Sequence, residues 1–219
     1  MISILIPIYN GIEFIEESIE SVLQQTFNGW EILIGINGHP QNSEVYLKAK
    51  EYEQKVLEGK IKVFDFFEIK GKANTLNELV KHAKYDYIAL LDVDDIWLPE
   101  KLEKQIPFIR LKYDVIGTNC IYFGNVYKKS TIPLKELTYY NFKKVNPIIN
   151  SSVIIKKELC DWNDIPLEDY DLWIRLRKQG KTFYNCSNVL VKHRIHNDSA
   201  FNAKGNGQFK KELIKKHFF

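Results

Sequence analysis

Arginine is scarce in this 219-residue chain: Arg110, Arg175, Arg177 and Arg194 are the only four, and lysine supplies the rest of the 31 basic side chains. Against 28 acidic residues the formal net charge is +3, too small for a partner held by a strongly basic surface, nucleic acid above all. The lysine excess, alongside many Ile and Asn, fits an AT-rich coding sequence rather than a binding demand. Cysteine is sparser still, with Cys120, Cys160 and Cys186 odd in number, far apart and without a CxxC pair. That excludes a disulfide framework and points to buried thiols in a reducing compartment. Zinc ligation by Cys186, His193 and His196 fails on spacing and on the missing fourth ligand. "MISILIPIYN" is apolar but has no basic flank or small-residue cleavage site, and no apolar run approaches bilayer-spanning length. The expected location is the cytoplasm, free or at the cytosolic face of a membrane. Repeats, low-complexity linkers and signs of a second domain are also missing, so one domain is expected, large enough to bury its own core.

What is present is a rhythm. ISILIPI (2–8), WEILIGI (30–36), IKVFDF (61–66) and YIALLD (87–92) are short, β-branched apolar runs ending at turns, the pattern of buried strands. Helical stretches separate them. The first follows Asn10 and puts Ile12, Ile15, Ile19, Val22 and Leu23 on one face; others cover about 43–58 and 72–83. Asn10 with Glu13 three residues on reads as a capping box. Pro99 suits the start of a further helix to about Lys104, with Pro107 limiting it. This alternation predicts an α/β fold with a mostly parallel, Rossmann-like central sheet covered by helices on both faces. Beyond about residue 118 the pattern is less regular. SSVIIKK (151–157) and VLVKHRI (189–195) read as strands around the helix EDYDLWIRLRKQG, which Gly180 stops and in which Asp171 can pair with Arg175.

The fourth strand delivers Asp92, Asp94 and Asp95 to its own end. Side chains alternate along a strand, so Asp92 and Asp94 share a face while Val93 turns to the core. Ligands of parallel α/β sheets collect at the carboxyl ends of strands. Two carboxylates there make a hard-oxygen seat for Mg²⁺ or Mn²⁺, or else they cap the following helix in water.

Taken in order, PIYN (7–10), INGHP (36–40), GKANTLN (71–77), LLDVDDIWLPEKLEKQ (90–105), PLEDYDLWIRLRKQGK (166–181) and HRIHNDS (193–199) resemble family 2 glycosyltransferases of the GT-A fold. The resemblance spans about residues 2–200. It implies a single GT-A domain over 1–200, with a nucleotide-binding half at about 1–98 and an acceptor and catalytic half at about 99–200. A basic amphipathic tail, 201–219, follows. The implied activity is metal-dependent, inverting transfer of a sugar from a nucleoside-diphosphate sugar, UDP favoured, to an acceptor hydroxyl of a glycan or similar molecule.

On the matching positions, Pro7, Tyr9 and Asn10 line the base pocket. Asn37 stands where the family usually has an acid that reads the uracil ring, a departure that leaves the base open. Lys72 matches a lysine of part of the family, at a helix start whose N–H groups favour an anion. Asp92 reaches the ribose or a metal-bound water, Asp94 and His196 hold Mn²⁺ or Mg²⁺, and Arg194 faces the diphosphate. Asp169 is the catalytic base, and the helix dipole is expected to keep it ionised. Glu168 positions or caps. Asp95 caps a helix or supports the metal site from behind, and Trp97 borders the sugar pocket or sits in the core. His193 receives no role. In the tail, Phe209, Leu213 and Phe218 either pack on the domain or lie on an anionic membrane among the lysines. The rival readings are an aspartate-dependent phosphohydrolase, a nucleotidyltransferase and a catalytically inactive sugar-nucleotide binder.

Overall fold

A computed structural model of the chain describes residues 1–56, 59–197, 199 and 205–218. The predicted end of the second helix at 58, Asp198 of HRIHNDS, tail residues 201–204 and Phe219 lie outside the described residues. Strand β1 (Ile2–Ile8) is buried at every position and pairs in parallel with both β2 (Trp30–Asn37) and β4 (Tyr87–Leu90). With β3 (Ile61–Phe66) parallel to β2, the carboxyl ends of four strands open along one edge. Helices α1 (Ile15–Leu23), α2 (Glu44–Lys55) and α3 (Lys72–His82) make the crossovers.

The alternation of Ile and Leu in ISILI and EILI sorts the two faces. Ile4, Ile6, Ile32 and Ile34 pack with Ile15, Ile19 and Val22 of α1, whereas Leu5 and Leu33 pack on the other side with Leu76 and Leu79 of α3. Both faces are thus covered by helices, as predicted, and the strands read as continuous apolar runs for that reason.

The second half departs from the parallel pattern. Strand β9 (Ile154–Lys156) runs antiparallel between β4 and β6 (Val115–Gly124), and β10 (Phe183–Ile195) returns parallel to β6. The two-residue strands β5 (Ile96–Trp97), β7 (Lys128–Lys129) and β8 (Lys135–Glu136) pair antiparallel at the margins. The sheet is mostly parallel, with these reversals.

Three local expectations are corrected. Asn10 caps nothing: a left-handed Gly11 (φ 88°) leads into a single 3-10 turn, Ile12–Phe14, before α1, so no capping box forms. Helix α4 (Lys101–Arg110) runs through Pro107 rather than stopping before it. Pro107 removes one hydrogen bond to the preceding turn, and the helix ends three residues later. Asp92 and Asp94 lie beyond the last residue of β4 in a tight turn closed by Asp95 N–H to Asp92 O (3.0 Å), yet Val93 is still buried.

The tail packs on its own domain. Helix α6 (Asn206–Phe218) buries Leu213 and lies against α5 (Glu168–Lys178). Its His217 Nε2 sits 2.7 Å from Asp171 Oδ1, and Lys178 donates to the His217 carbonyl at 2.8 Å. Among the described residues no helix is long and apolar enough to cross a membrane.

Asp171 is fully buried. Burial alone would raise its pKa, but hydrogen bonds from His217, Arg175 and Asn163 outweigh it and hold the carboxyl down at about 2. A depressed carboxylate stabilises the fold above its unfolded pKa of about 4 and loses that contribution as pH falls towards 2. Asp171→Asn is therefore expected to cost roughly 2 kcal/mol at pH 7 and to converge on the parent protein in acid, in urea unfolding followed across that range.

Candidate active site

The carboxyl edge of β1, β2 and β4 opens into a cleft of about 650 Å³ lined by Pro7, Tyr9, Asn10, Asn37, Lys72, Asp92, Asp94, His193, Arg194 and His196 among others. The sequence expectation placed all but one of these there, and His193 is the addition. Tyr9 is half exposed, its ring against Gly38, whose backbone is left-handed (φ 71°) and brings the His39 ring to 5.4 Å from it. A Cβ on Gly38 would meet the Tyr9 ring at 2.8 Å. Asn37 is buried and its amide donates to Ile8 O at 3.1 Å, which ties the first loop to the second.

The acids are held individually. Asp92 Oδ1 lies 2.5 Å from Lys72 Nζ, and the Asn150 amide donates to both Asp92 oxygens at 3.1 and 3.2 Å. Burial pushes the Asp92 pKa up, but the Lys72 charge and these hydrogen bonds prevail and keep it below the ordinary range. Asp95, fully buried, faces His193 Nδ1 at 2.8 Å and accepts from the Arg194 backbone N–H at 2.8 Å. It caps no helix, since β5 follows it. Burial would lower the His193 pKa, yet the Asp95 charge and hydrogen bond, with Asp92 and Asp94 behind them, raise it to about 9.

Asp94 is the least compensated of the three. Burial, then the charges of Asp95 and Asp92, push its pKa up, and His196 Nε2 lies 3.1 Å from its Oδ2. A carboxylate and an imidazole at this spacing, in a field that disfavours a further negative charge, fit a hard divalent cation. No group of three or more protein ligands gathers among the described residues. A cation here would therefore take its remaining oxygens from the bound molecule, as Mg²⁺ commonly does with phosphates.

One assignment changes, and one of two alternatives is found. Arg194 borders the cleft, but its guanidinium is engaged: Nε donates to Asp94 O at 2.8 Å, Nη2 to Glu17 at 3.0 Å, and the rings of Phe14 and Phe123 flank it. In this arrangement it clamps the Asp94 turn instead of pointing at a diphosphate. Of the two readings of Trp97, the structure has the core one: its Nε1 donates to Ser151 O (2.7 Å) and the Lys101 ammonium lies over its ring.

Beyond Lys72 lies the start of α5. Lys72 Nζ is 3.8 Å from Glu168 Oε1, and Asp169 Oδ2 accepts from the Asn146 amide at 2.8 Å. Burial, then the neighbouring Glu168 charge, raise the Asp169 pKa to about 7, against Lys72 and hydrogen bonds from Asn146 and the Tyr170 N–H. The expected dipole effect is overruled: burial dominates, and the group titrates near neutrality. Sequence reasoning missed Asn146, Asn150 and the pairing of Asp95 with His193, because these partners come from chain segments 23 to 98 residues away.

A family model for glycosyl transferase family 2 matches residues 3–218, and the chain belongs to that family. It is a glycosyltransferase. The chain is 33% identical over 210 residues to an uncharacterized glycosyltransferase of Methanocaldococcus jannaschii, covering 90% of this chain and 71% of that protein. It is 31% identical over 216 residues to the Escherichia coli UDP-Glc:alpha-D-GlcNAc-diphosphoundecaprenol beta-1,3-glucosyltransferase WfgD, covering 93% and 81%. Among solved structures, S. aureus TarS in complex with UDP-GlcNAc matches with a TM-score of 0.75 at 15% identity, over 100% of this chain and 67% of that one. A mannosyltransferase from Pyrobaculum calidifontis with GDP-Man and Mn²⁺ matches with a TM-score of 0.76 at 14% identity, over 98% and 63%. The fold is GT-A, and family membership displaces the phosphohydrolase and nucleotidyltransferase readings.

The acids should differ in what they do for stability. Asp95→Ala strands His193 and the Arg194 N–H and is expected to cost roughly 3 kcal/mol in urea unfolding at pH 7. Asp94→Ala removes a charge that its surroundings disfavour, so the unliganded protein should be as stable as the parent or more so.

Proposed function

We propose that this glycosyltransferase is an inverting, metal-dependent enzyme that moves a sugar from a nucleoside-diphosphate sugar, UDP favoured, to an acceptor hydroxyl. One observation carries the reading: Lys72 pairs with Asp92 on the acid-rich floor of a nucleotide-sized cleft and reaches to 3.8 Å from Glu168, the neighbour of Asp169 at the start of α5. The ligands named for the structural neighbours, UDP-GlcNAc and GDP-Man with Mn²⁺, support a nucleotide sugar and a divalent metal. WfgD, named for a UDP-Glc donor, supports UDP.

In this reading Pro7, Tyr9, Asn10 and Asn37 receive the base, with the Tyr9 ring as a stacking face. Asp92 is oriented by Asn150 and Lys72 towards the ribose. Asp94 and His196 would hold Mn²⁺ or Mg²⁺, which supplies positive charge to the diphosphate as it leaves. Lys72 adds to that charge, while Arg194 fixes the turn that carries Asp94. Asp169, oriented by Asn146 and the Tyr170 N–H, takes the acceptor proton as oxygen attacks the anomeric carbon from the face opposite the diphosphate. Glu168 positions Lys72. The acceptor is a hydroxyl on a glycan or similar molecule.

A base of pKa about 7 is protonated, and useless, below that pH. Transfer should rise about tenfold per pH unit up to neutrality and level off above it. Asp169→Asn should bind nucleotide and metal normally while losing at least about a hundredfold in transfer and the acid limb of the profile. Near-native transfer by this variant would refute the base assignment; turnover by the parent excludes an inactive binder, and product anomeric configuration by proton NMR tests inversion.

The metal and base readings have their own check. EDTA should abolish transfer, Mn²⁺ or Mg²⁺ should restore it, and Asp94→Ala should lose diphosphate affinity although it stays folded. Calorimetry is expected to rank UDP above GDP and dTDP; equal affinities would remove Asn37 from base reading.

A further inference from the structure

Four lysines line a second groove, of about 360 Å³, which shares no residue with the cleft. Lys143 stands on one wall and Lys210, Lys211 and Lys215 of α6 on the other, over Gly207 and Ile214, and no carboxylate lines it. Lys210 donates to the Lys144 carbonyl at 2.6 Å, and Glu212, the one acid of α6, accepts from Gln208. Among the described residues neither Lys211 nor Lys215 has an acidic partner. These two exposed lysines stand one turn apart, where like charges disfavour each other. Leu213 is buried and Ile214 and Phe218 pack on the core, while Lys211 and Lys215 stay exposed beside them.

The chemistry selects the occupant. A discrete phosphate is held by arginine forks, backbone N–H groups or a helix N-terminus. Here the charges are lysines alone, and those of α6 are spread from 210 to 215 over about 8 Å of the helix, beyond its first turn. The chain that leads to the other wall exposes Tyr139 (99%) and, just past Lys144, Val145 (41%), side chains of the kind that enter a bilayer at headgroup depth. We infer that this face docks on an anionic phospholipid surface. The 142–146 segment that carries Lys143 also holds α5: Phe142 O accepts from the Tyr170 hydroxyl and Asn146 from the same segment bonds Asp169. A docked enzyme therefore presents the start of α5 close to the lipid, the geometry suited to an acceptor anchored there. Docking itself does not depend on the assignment of Asp169 or of the donor.

The test is co-sedimentation of the full chain with phosphatidylcholine vesicles, with and without phosphatidylglycerol. Binding is expected only to the anionic vesicles, with release at high salt. The variant K210E/K211E/K215E should bind them at least about a hundredfold more weakly while nucleotide affinity and circular dichroism stay unchanged. If charge reversal disturbs folding, K211Q/K215Q should still weaken binding by about tenfold or more. Equal binding to neutral vesicles, undiminished binding by the variants, or retention on a soluble polyanion without vesicle binding would each overturn the proposal.

Discussion

Three carboxylates within four residues, at the end of a strand buried on both faces, repel one another in a region where water cannot screen them well. Much of the site is an answer to that repulsion. Asp92 is paired with Lys72 and hydrogen-bonded by Asn150, and its carboxyl is held below the ordinary range. Asp95 is matched by a protonated His193 and a backbone N–H. Asp94 has His196 and its own backbone N–H near its carboxylate, with no cationic partner among the described residues of the kind Lys72 gives Asp92, and its pKa is raised. The uncompensated negative charge is thus concentrated on the side chain that also borders the cleft. On the proposed function, a cation brought with a diphosphate would complete this balance, a physical reason for metal and nucleotide to bind together.

The reversal of one strand makes this possible. In an all-parallel sheet, the element beside β4 would bring its carboxyl end to the same edge. Because β9 is antiparallel, its amino end arrives there instead, with Ala89 opposite Ile154 and the Leu90 N–H bonded to Val153 O. The residues just before β9 form a 3-10 turn, Asn150–Ser152, that lands on the acid turn. Asn150 grips Asp92, Ser151 Oγ accepts from the Asp92 N–H, and Ser151 O accepts from Trp97. Gln105, buried in α4, donates to Ser152 O and Ile116 O and fixes the turn from behind. A local reversal in topology thereby becomes a constraint on one carboxylate.

Residues 2–97 were legible because their strands are uninterrupted apolar runs and their helices carry clean apolar stripes. Only the ends misled, since Gly11 entered the first helix through a 3-10 turn and Asn10 was left facing the cleft. The second half was harder. Strand β6 places Thr118 and Asn119 mid-run; Thr118 is fully buried with hydrogen-bonded partners, so the polarity that breaks the pattern is satisfied internally. Strand β10 spans thirteen residues with register shifts around Val189, which conceal its first half behind CSN. Five of the six family motifs supply residues to the cleft lining despite this, because each lies at the end of a strand or start of a helix. Asp95, His193, Asn146 and Asn150 were beyond such reasoning, as their meaning lies in who meets whom across the fold.

The disagreement over Asp169 shows which force wins at a helix start. A helix dipole favours a carboxylate there by about 0.3–1 kcal/mol, less than one pKa unit. Desolvation of a buried acid reaches several units, and Glu168 adds repulsion, so a rise from 3.8 to about 7 follows in sign and scale. Lys72 opposes the rise, and Lys72 is shared with Asp92 at the floor of the cleft. Any displacement of that ammonium towards a bound diphosphate would withdraw a positive charge from Asp169 and make it more basic. On the proposed mechanism, donor binding and proton abstraction are then coupled through one lysine: the charge that steadies the leaving group is the same charge whose departure strengthens the base.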